Sequence, residues 1–281
     1  MVFSFFWKKN LKKEEIFIKK IEKVFDTGRL SHPVRTEIYA ATHKNESSKP
    51  RLSLLLFNDG QDMEAVGLEN TLADLYATDQ IKPLLVVGLY PTDRMQDYGT
   101  AHQLDYANRG SQAAAYTAFI KEDLLPFLEK EYQLHPQVQQ RAFAGFSLGG
   151  LSAFDIVWKQ PQLFGKTGVF SGALWWRSKP FDAEDPDGNR IVHTMVEKDN
   201  IEQRQHLRFW LQAGTEDEKD DRNNNGVIDA IDDTLDLMKA LQSKGFDKNK
   251  AMKYVEVEGG QHHPATWKEV LPDFLIWAFG K

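Results

Sequence analysis

Apolar segments with few polar residues alternate with amphipathic ones along most of this 281-residue chain. LSLLLF (52–57), LLVVGL (84–89) and RAFAG (141–145) are typical of strands that are buried on both faces of a sheet. Helical periodicity separates them, for example at 68–77, at 148–159 and at 111–131, where Pro126 should bend the helix. The pattern predicts an α/β fold with a mostly parallel central sheet and helices on both faces.

The strands and helices are continuous enough to predict one domain over residues 31–281. Ahead of it, residues 1–30 form an N-terminal extension, in which Leu11, Ile18, Ile21 and Phe25 follow roughly helical spacing between lysines. This predicts an amphipathic helix over 8–25 that packs on the domain or on a second subunit. The oligomeric state stays open, with a dimer among the alternatives.

Composition excludes several classes of protein. The net charge of −6 argues against a nucleic-acid partner, which would require a concentrated basic surface. There is no apolar run of 18 residues, so the sequence predicts no membrane span. The N-terminus lacks the order of segments found in a secretory signal, which leads us to expect a cytoplasmic protein. Without cysteine, neither a thiolate metal site nor a cysteine nucleophile can form.

The segment Gly145-Phe146-Ser147-Leu148-Gly149 lies between a predicted strand and a predicted helix. A G-x-S-x-G turn of this kind projects the serine oxygen above the end of the sheet, because its glycines remove side chains that would collide. Ser147 is therefore our candidate nucleophile. The N–H of Leu148 begins the following helix and can stabilise an oxyanion. The N–H of Gln61, in the loop after the strand LSLLLF, is the candidate for the second donor.

A serine nucleophile needs a base, and the base needs an acid to orient it. Two later predicted strands end in suitable residues. The first is followed by Glu216 and Asp217, and the second by His262 and His263. We predict Asp217 as the acid and His262 as the base. Glu216 and a site without an acid stay open as alternatives, and His263 is less favoured because it precedes a proline.

Residues 221–232 match the pattern of an EF-hand calcium loop. Oxygen-bearing side chains stand at its positions 1, 3, 5, 9 and 12, a glycine at position 6, and a main-chain carbonyl at position 7. Asp232 replaces the usual glutamate at position 12, which should weaken binding. We predict a structural Ca²⁺ in this insertion (219–233) and no cofactor for catalysis. The expected ligands are Asp221, Asn223, Asn225, Val227, Asp229 and Asp232.

The segment 92–110 is a long polar and aromatic loop after a predicted strand, and such loops often carry function. Its arginine and tyrosine side chains could contact an anionic or aromatic substrate. Alternatively, its arginines could pair with Asp97 and Asp105. The candidate contacts are Arg94, Tyr98, Tyr106 and Arg109.

Several motifs together resemble the esterase family that includes enterochelin esterase, within the α/β-hydrolases. They are LLLFNDGQD, AGFSLGGLSAF, FSGALWW and EGGQHHPATWKEVLPDFLIW, which follow one another in the family's order over roughly residues 30–280. The resemblance implies an α/β-hydrolase fold, Ser147 as nucleophile, His262 as base, and Trp175 and Trp176 in the wall of the substrate pocket. The family varies at the position of the acid, so the resemblance does not select one residue for that role.

These residues predict a serine hydrolase that cleaves a small-molecule carboxylic ester through an acyl-enzyme. Acyl transfer to another alcohol, or peptide cleavage, would use the same groups. From a different class, the chain could be a non-catalytic binding protein stabilised by calcium. A complete set of Ser, Asp and His candidates argues against that alternative.

Overall fold

The computed structural model describes residues 16–43 and 51–281. Within these ranges, strands form one eight-stranded sheet in the order β1-β2-β4-β3-β5-β6-β7-β8. Their bounds are β1 Ile16–Phe25, β2 Val34–His43, β3 Ser53–Asn58, β4 Leu84–Tyr90, β5 Arg141–Phe146, β6 Lys166–Phe170, β7 Arg208–Glu216 and β8 Met252–Gln261.

The helices are α1 Leu68–Ala77, α2 Arg94–Asp97, α3 Ala113–Phe119, α4 Leu125–Glu131, α5 Leu148–Lys159, α6 Ile191–Lys198, α7 Asp229–Ser243, α8 Lys248–Ala251 and α9 Pro264–Phe279. A π-helical turn, Ile120–Leu124, divides the predicted helix over 111–131 just before Pro126, which has no N–H to donate. Short 3₁₀ turns lie at Gly60–Asp62 and Val138–Gln140. Over the two described ranges, no helix is long and apolar enough to cross a membrane.

The sheet is mostly parallel, as the sequence predicts. Neighbouring strands from β4 through β3 to β8 all pair in parallel. Strand β2 is the exception, since it pairs antiparallel with both β1 and β4. The sequence predicts an edge strand at 35–41, and this is wrong because β2 has a partner on each side.

Helices cover both faces of the sheet. Phe209 and Trp210 are neighbours in β7 and therefore point to opposite faces. Phe209 packs against Phe154 of α5, with ring centroids 5.6 Å apart. Trp210 packs against Phe274 of α9 at 5.7 Å. The continuous apolar strands found in the sequence are thus buried on both sides, and the predicted α/β architecture is confirmed.

The N-terminal segment differs from its prediction. Residues Ile16–Phe25 form strand β1, which pairs with β2 over all ten residues, so the predicted amphipathic helix is wrong there. Its β-branched residues favour a strand, and the backbone pairing with β2 outweighs their near-helical spacing. The rest of the predicted helix, residues 8–15, lies outside the described residues. Strand β1 extends the sheet and is part of the domain.

Candidate active site

Ser147 stands at the sharp turn between β5 and α5. Its backbone has φ 52° and ψ −121°, a conformation that is strained for a residue with a side chain. The turn is held because the Ser147 N–H donates to the Phe170 carbonyl at 2.8 Å and the Ala173 N–H donates to the Ser147 carbonyl at 3.1 Å. Ser147 is half-buried, and its neighbours at this turn are buried.

Glycines are required on both sides of this serine. A Cβ atom at Gly145 would lie 2.4 Å from the Gly149 carbonyl carbon, so strand and helix could not meet this closely. A Cβ atom at Gly149 would lie 2.2 Å from Asp59 Oδ2. The G-x-S-x-G spacing is thus explained by one close approach between backbones and one between the helix and the Asp59 carboxylate.

The loop after β3 is anchored beside Ser147 by buried polar contacts. The Asn58 side chain donates from Nδ2 to the Gly149 carbonyl at 2.8 Å. Asp59, which is completely buried, accepts from Arg94 Nε at 2.7 Å and from a second guanidinium nitrogen at 3.1 Å. Arg94 also donates to the Phe146 carbonyl at 3.1 Å. Arg94, predicted as a substrate contact, therefore ties this loop to the serine turn.

Two N–H groups at this point begin helical turns and therefore lack an intrahelical acceptor. Leu148 is the first residue of α5, and Gln61 lies in the 3₁₀ turn that starts at Gly60. The first N–H groups of a helix have no intrahelical acceptor. The structure brings both predicted oxyanion residues to the carboxyl edge of neighbouring strands, since β3 pairs with β5.

The acid and base candidates follow the last two strands of the sheet. Glu216 of β7 pairs with Gln261 of β8, after a register shift between Gly214 and Glu216. The next residues along the two strands are Asp217 and His262, so they leave the sheet side by side. The exposed Glu216 side chain instead accepts from Gln261 Nε2 at 3.2 Å.

Each oxygen of the Asp217 carboxylate has a hydrogen-bond donor. Oδ2 accepts from the Gly214 N–H at 2.9 Å, and Oδ1 accepts from the Ser171 hydroxyl at 3.1 Å. Burial raises the pKa of Asp217, although these two donors and His262 each act to lower it.

His262 is exposed, but the surrounding protein atoms remove enough solvent to lower its pKa. The Asp217 carboxylate opposes this change, and the nearby Arg94 charge adds to it. The imidazole meets Trp267 edge-on at 5.5 Å, and Trp267 stacks on Phe146 at 4.4 Å. Within the described residues, the ring makes no hydrogen bond to Ser147 or Asp217, and such bonds often tighten only when substrate binds.

His263 has a different role from its neighbour. It is the N-cap residue of α9, and its Nδ1 accepts from the Ala265 N–H at 3.2 Å. Its ring is therefore engaged at the start of α9.

The remaining predicted substrate contacts fall into two groups. Trp175 and Tyr106 are exposed, and the Arg109 guanidinium lies over both rings at 5.2 and 5.7 Å. Arg109 itself is paired with Asp105, as the alternative in the sequence analysis has it.

The other group is buried. Trp176 and Tyr98 are completely buried, so the predictions of Trp176 as pocket wall and of Tyr98 as a substrate contact do not fit this structure. Trp176 packs beneath the loop at Gly99 and Gly110. The Tyr98 hydroxyl accepts from the Asp59 N–H at 2.9 Å.

Sequence reasoning missed two members of the site. No role is predicted for Asp59, although it follows a buried strand directly. Ser171 belongs to the F-S-G-A-L-W-W motif, in which only the tryptophans were assigned a role. Both follow strand ends at the same edge as Ser147, and that position is the signal that could have identified them.

The side chains of the predicted calcium loop converge. Asp232 Oδ2 accepts from the side-chain amides of Asn223 and Asn225 at 3.0 and 2.8 Å. Asp221 accepts from the N–H groups of Asn225 and Gly226 at 3.1 and 2.9 Å.

Two observations weigh against the predicted calcium ligand set. Asp229 is paired with an arginine, because its Oδ1 accepts from the Arg222 N–H at 2.9 Å and lies 3.2 Å from the Arg222 guanidinium. Over residues 16–43 and 51–281, no three His, Cys, Asp or Glu residues are grouped as metal ligands. Three of the six predicted ligands are asparagine amides or a main-chain carbonyl.

Fold and site together define the α/β-hydrolase class. A family model described as "Putative esterase" matches residues 30–278. The chain therefore belongs to that esterase family and is a carboxylic-ester hydrolase, and the resemblance inferred from the sequence motifs is confirmed.

Individual proteins are similar at low identity. An uncharacterized protein YbbA of Bacillus subtilis is 22% identical over 214 residues, covering 75% of this chain and 79% of that protein. An endo-1,4-beta-xylanase/feruloyl esterase of Xylanibacter ruminicola is 27% identical over 199 residues, covering 70% of this chain and 21% of that protein. The enterobactin esterase FES of Shigella flexneri superimposes with a TM-score of 0.69 at 20% identity, covering 93% of this chain. This chain spans only 59% of that structure's length.

Proposed function

We propose that Ser147, His262 and Asp217 act as nucleophile, base and acid in hydrolysis of a carboxylic ester through an acyl-enzyme. The observation that carries the proposal is the pairing of Glu216 with Gln261, after which Asp217 and His262 leave the sheet together. The strained turn at Ser147 and its contact network through Phe146 and Trp267 to His262 add support.

In this mechanism His262 accepts the Ser147 hydroxyl proton as the oxygen attacks the ester carbonyl carbon. The carbonyl oxygen becomes an oxyanion that accepts from the N–H groups of Leu148 and Gln61. The protonated imidazole then gives its proton to the departing alcohol, which leaves the acyl group on Ser147. His262 then takes a proton from a water molecule, which attacks the acyl carbon, and the imidazolium returns that proton to the Ser147 oxygen as the carboxylic acid is released.

An aromatic group on the ester is the substrate feature that we propose. Tyr106 and Trp175 are exposed on the two segments beside the site, and Trp175 stands two residues beyond Ala173, which bonds the serine turn. Aromatic rings in offset or edge contact add attraction beyond area burial. The similar proteins whose names specify feruloyl and enterobactin esters are consistent with this choice.

Labelling by a fluorophosphonate probe tests the nucleophile. We expect the wild-type protein to be labelled and the Ser147→Ala variant to remain unlabelled. A panel of p-nitrophenyl acetate, methyl ferulate and an acetylated sugar then measures preference, with methyl ferulate expected to give the highest kcat/KM. Equal labelling of both proteins would refute the role of Ser147. Transfer of the acyl group to added alcohol in preference to water would favour the acyltransferase alternative.

We also propose that the loop 221–232 binds a structural Ca²⁺. Asp221, Asn223, Asn225 and Asp232 would hold it through side-chain oxygens, with the Val227 carbonyl as a further ligand. Support comes from the convergence of these side chains on Asp232 and Asp221. Release of Asp229 from Arg222 would complete the predicted set. The ion would stabilise the loop that follows Asp217 and would take no part in the chemistry.

Thermal unfolding with and without calcium tests this site. If the dissociation constant is about 0.1 mM, a weak value for such loops, 1 mM Ca²⁺ stabilises the fold by about 1.4 kcal/mol. This should raise Tm by about 2–3 °C relative to protein in EDTA. The Asp221→Ala variant should show no such difference. An identical Tm for the wild-type protein in both buffers would contradict the proposal.

A further inference from the structure

Ser171 occupies an unusual place in the site. It follows β6, which lies between the strand that carries Ser147 and the strand that leads to Asp217. The residue is buried, and its backbone has φ 45°, a left-handed value that is uncommon outside glycine. Its N–H donates to the Gln212 carbonyl at 2.9 Å, which holds it against β7. A strained, buried serine at this edge suggests that its hydroxyl is needed there.

The direction of the Ser171 hydroxyl follows from its partners. Trp267 Nε1 lies 3.0 Å from Ser171 Oγ, and an indole N–H can only donate. Ser171 Oγ therefore accepts from Trp267, and its own proton is available to Asp217 Oδ1 at 3.1 Å. The amide oxygen of Gln212 lies farther away, at 3.4 Å. The charged acceptor is both closer and stronger.

Trp267 connects this hydrogen-bond chain to the other two members of the site. Its ring stacks on Phe146, the residue before Ser147, with centroids 4.4 Å apart and planes 10° apart. It also meets the His262 ring edge-on at 5.5 Å. One buried tryptophan thus contacts the serine turn, the base and the hydroxyl that holds the acid.

We propose that Ser171 is a positioning residue for the acid, with its hydroxyl oriented by Trp267 so that it donates to Asp217. The inference rests on the proposed function, because it assigns Asp217 as the acid. Together with the Gly214 N–H on the other oxygen, Ser171 fixes the plane of the carboxylate. It also keeps the carboxylate ionised despite burial, so that His262 retains its orientation.

The groups around Asp217 determine how the pKa of its carboxyl would change if Ser171 no longer donated to it. They are His262 after β8, the neutral phenol of Tyr254 in β8, and Ser171 itself, while the Arg94 guanidinium of α2 acts on His262. Without the donor, the carboxylate is more basic and protonates at a higher pH. Protonation of Asp217 removes the charge that orients His262, so activity should be lost below a higher pH than in the wild-type protein.

The test compares Ser171→Ala with Ser171→Gly by kcat, KM and the pH dependence of kcat/KM, using p-nitrophenyl acetate. We expect kcat to fall about 10- to 100-fold in both variants, as for loss of a hydrogen bond to a charged group, with KM within about threefold of the wild-type value. In the wild-type protein the acidic limb should lie below the usual imidazole pKa of about 6.5, because the pKa of His262 is lowered. In both variants that limb should move to higher pH.

The pair of variants separates positioning from folding. Glycine tolerates φ 45° and alanine does not, so Ser171→Gly should have the higher Tm of the two. Equal kinetic defects at unequal Tm would support positioning. A defect that follows Tm, or a wild-type kcat and pH profile in Ser171→Gly, would overturn the inference.

Trp267→Phe is the second arm of the test. It retains an aromatic ring on Phe146 but removes the donor to Ser171. We expect a several-fold lower kcat in the wild-type background and little further loss in the Ser171→Ala background, because both changes break one chain. Additive losses would overturn the role of Trp267. Labelling of the wild-type protein together with unchanged Ser171 variants refutes only this inference, whereas an unlabelled wild-type protein refutes the proposed function and the inference together.

Discussion

Replacing His262 by glutamine should lower kcat about 10³-fold, while the matched His263→Gln change should leave kcat within about threefold of the wild-type value. General base catalysis typically contributes 10² to 10⁴ in rate. The glutamine side chain can make hydrogen bonds but cannot accept the Ser147 proton. Steady-state hydrolysis of p-nitrophenyl acetate measures both variants under one condition.

The two adjacent histidines provide a control for folding. His262 is exposed, so His262→Gln should keep the wild-type Tm. His263 is the N-cap residue of α9 and its ring accepts from the Ala265 N–H, so His263→Gln should destabilise the fold by about 1 kcal/mol. We therefore expect His262→Gln to lose activity but not stability, and His263→Gln to lose stability but not activity. A large fall in kcat for His263→Gln alone would show that His263, and not His262, is the base.

Replacing Arg94 by methionine should destabilise the fold by about 2–3 kcal/mol. The change leaves the completely buried Asp59 carboxylate without its bidentate partner and removes a donor from the Phe146 carbonyl. Breaking a buried ion pair by removing one partner typically costs more, but Arg94 is 35% exposed, which reduces the effect. Urea unfolding followed by tryptophan fluorescence measures the change in free energy of unfolding.

Two further variants show whether the buried charge is the cause. In the double variant Asp59→Asn, Arg94→Met no charge is left unpaired, so at least half of the lost stability should return. The matched control is Lys239→Met, which removes a largely exposed pair with Asp236 and should change stability by less than about 0.5 kcal/mol. If Arg94→Met is as stable as the wild-type protein, Asp59 does not depend on this pair.

Patterns within single segments were sufficient for much of the fold. Leu68–Ala77 and Leu148–Lys159 have the bounds expected from the sequence. Buried parallel strands are apolar throughout, and the helices between them repeat at 3.6 residues, so each signal is local. The strand-end positions of Ser147, Asp217 and His262 followed from the same local reasoning.

Contacts between distant segments explain the errors. The apolar residues of 16–25 have a spacing that fits a helix, but this segment pairs with β2. The spacing within one segment does not show which other segment will pair with it. Trp175 and Trp176 are neighbours of one type, yet one is exposed and the other is buried beneath a loop. Whether a side chain is buried in this way depends on which loop packs over it in the folded protein.

The sequence by itself determined the α/β architecture, the serine turn and the order in which Ser147, Asp217 and His262 follow their strands, because these depend on short-range periodicity and on glycines at fixed spacing. Only the tertiary structure decided that Arg94 pairs with Asp59, and that Ser171 donates to Asp217 and accepts from Trp267. Each of those contacts joins side chains from different elements. Their partners are set by the register between strands and by the packing of α9 against the sheet, which residue spacing along one segment does not encode.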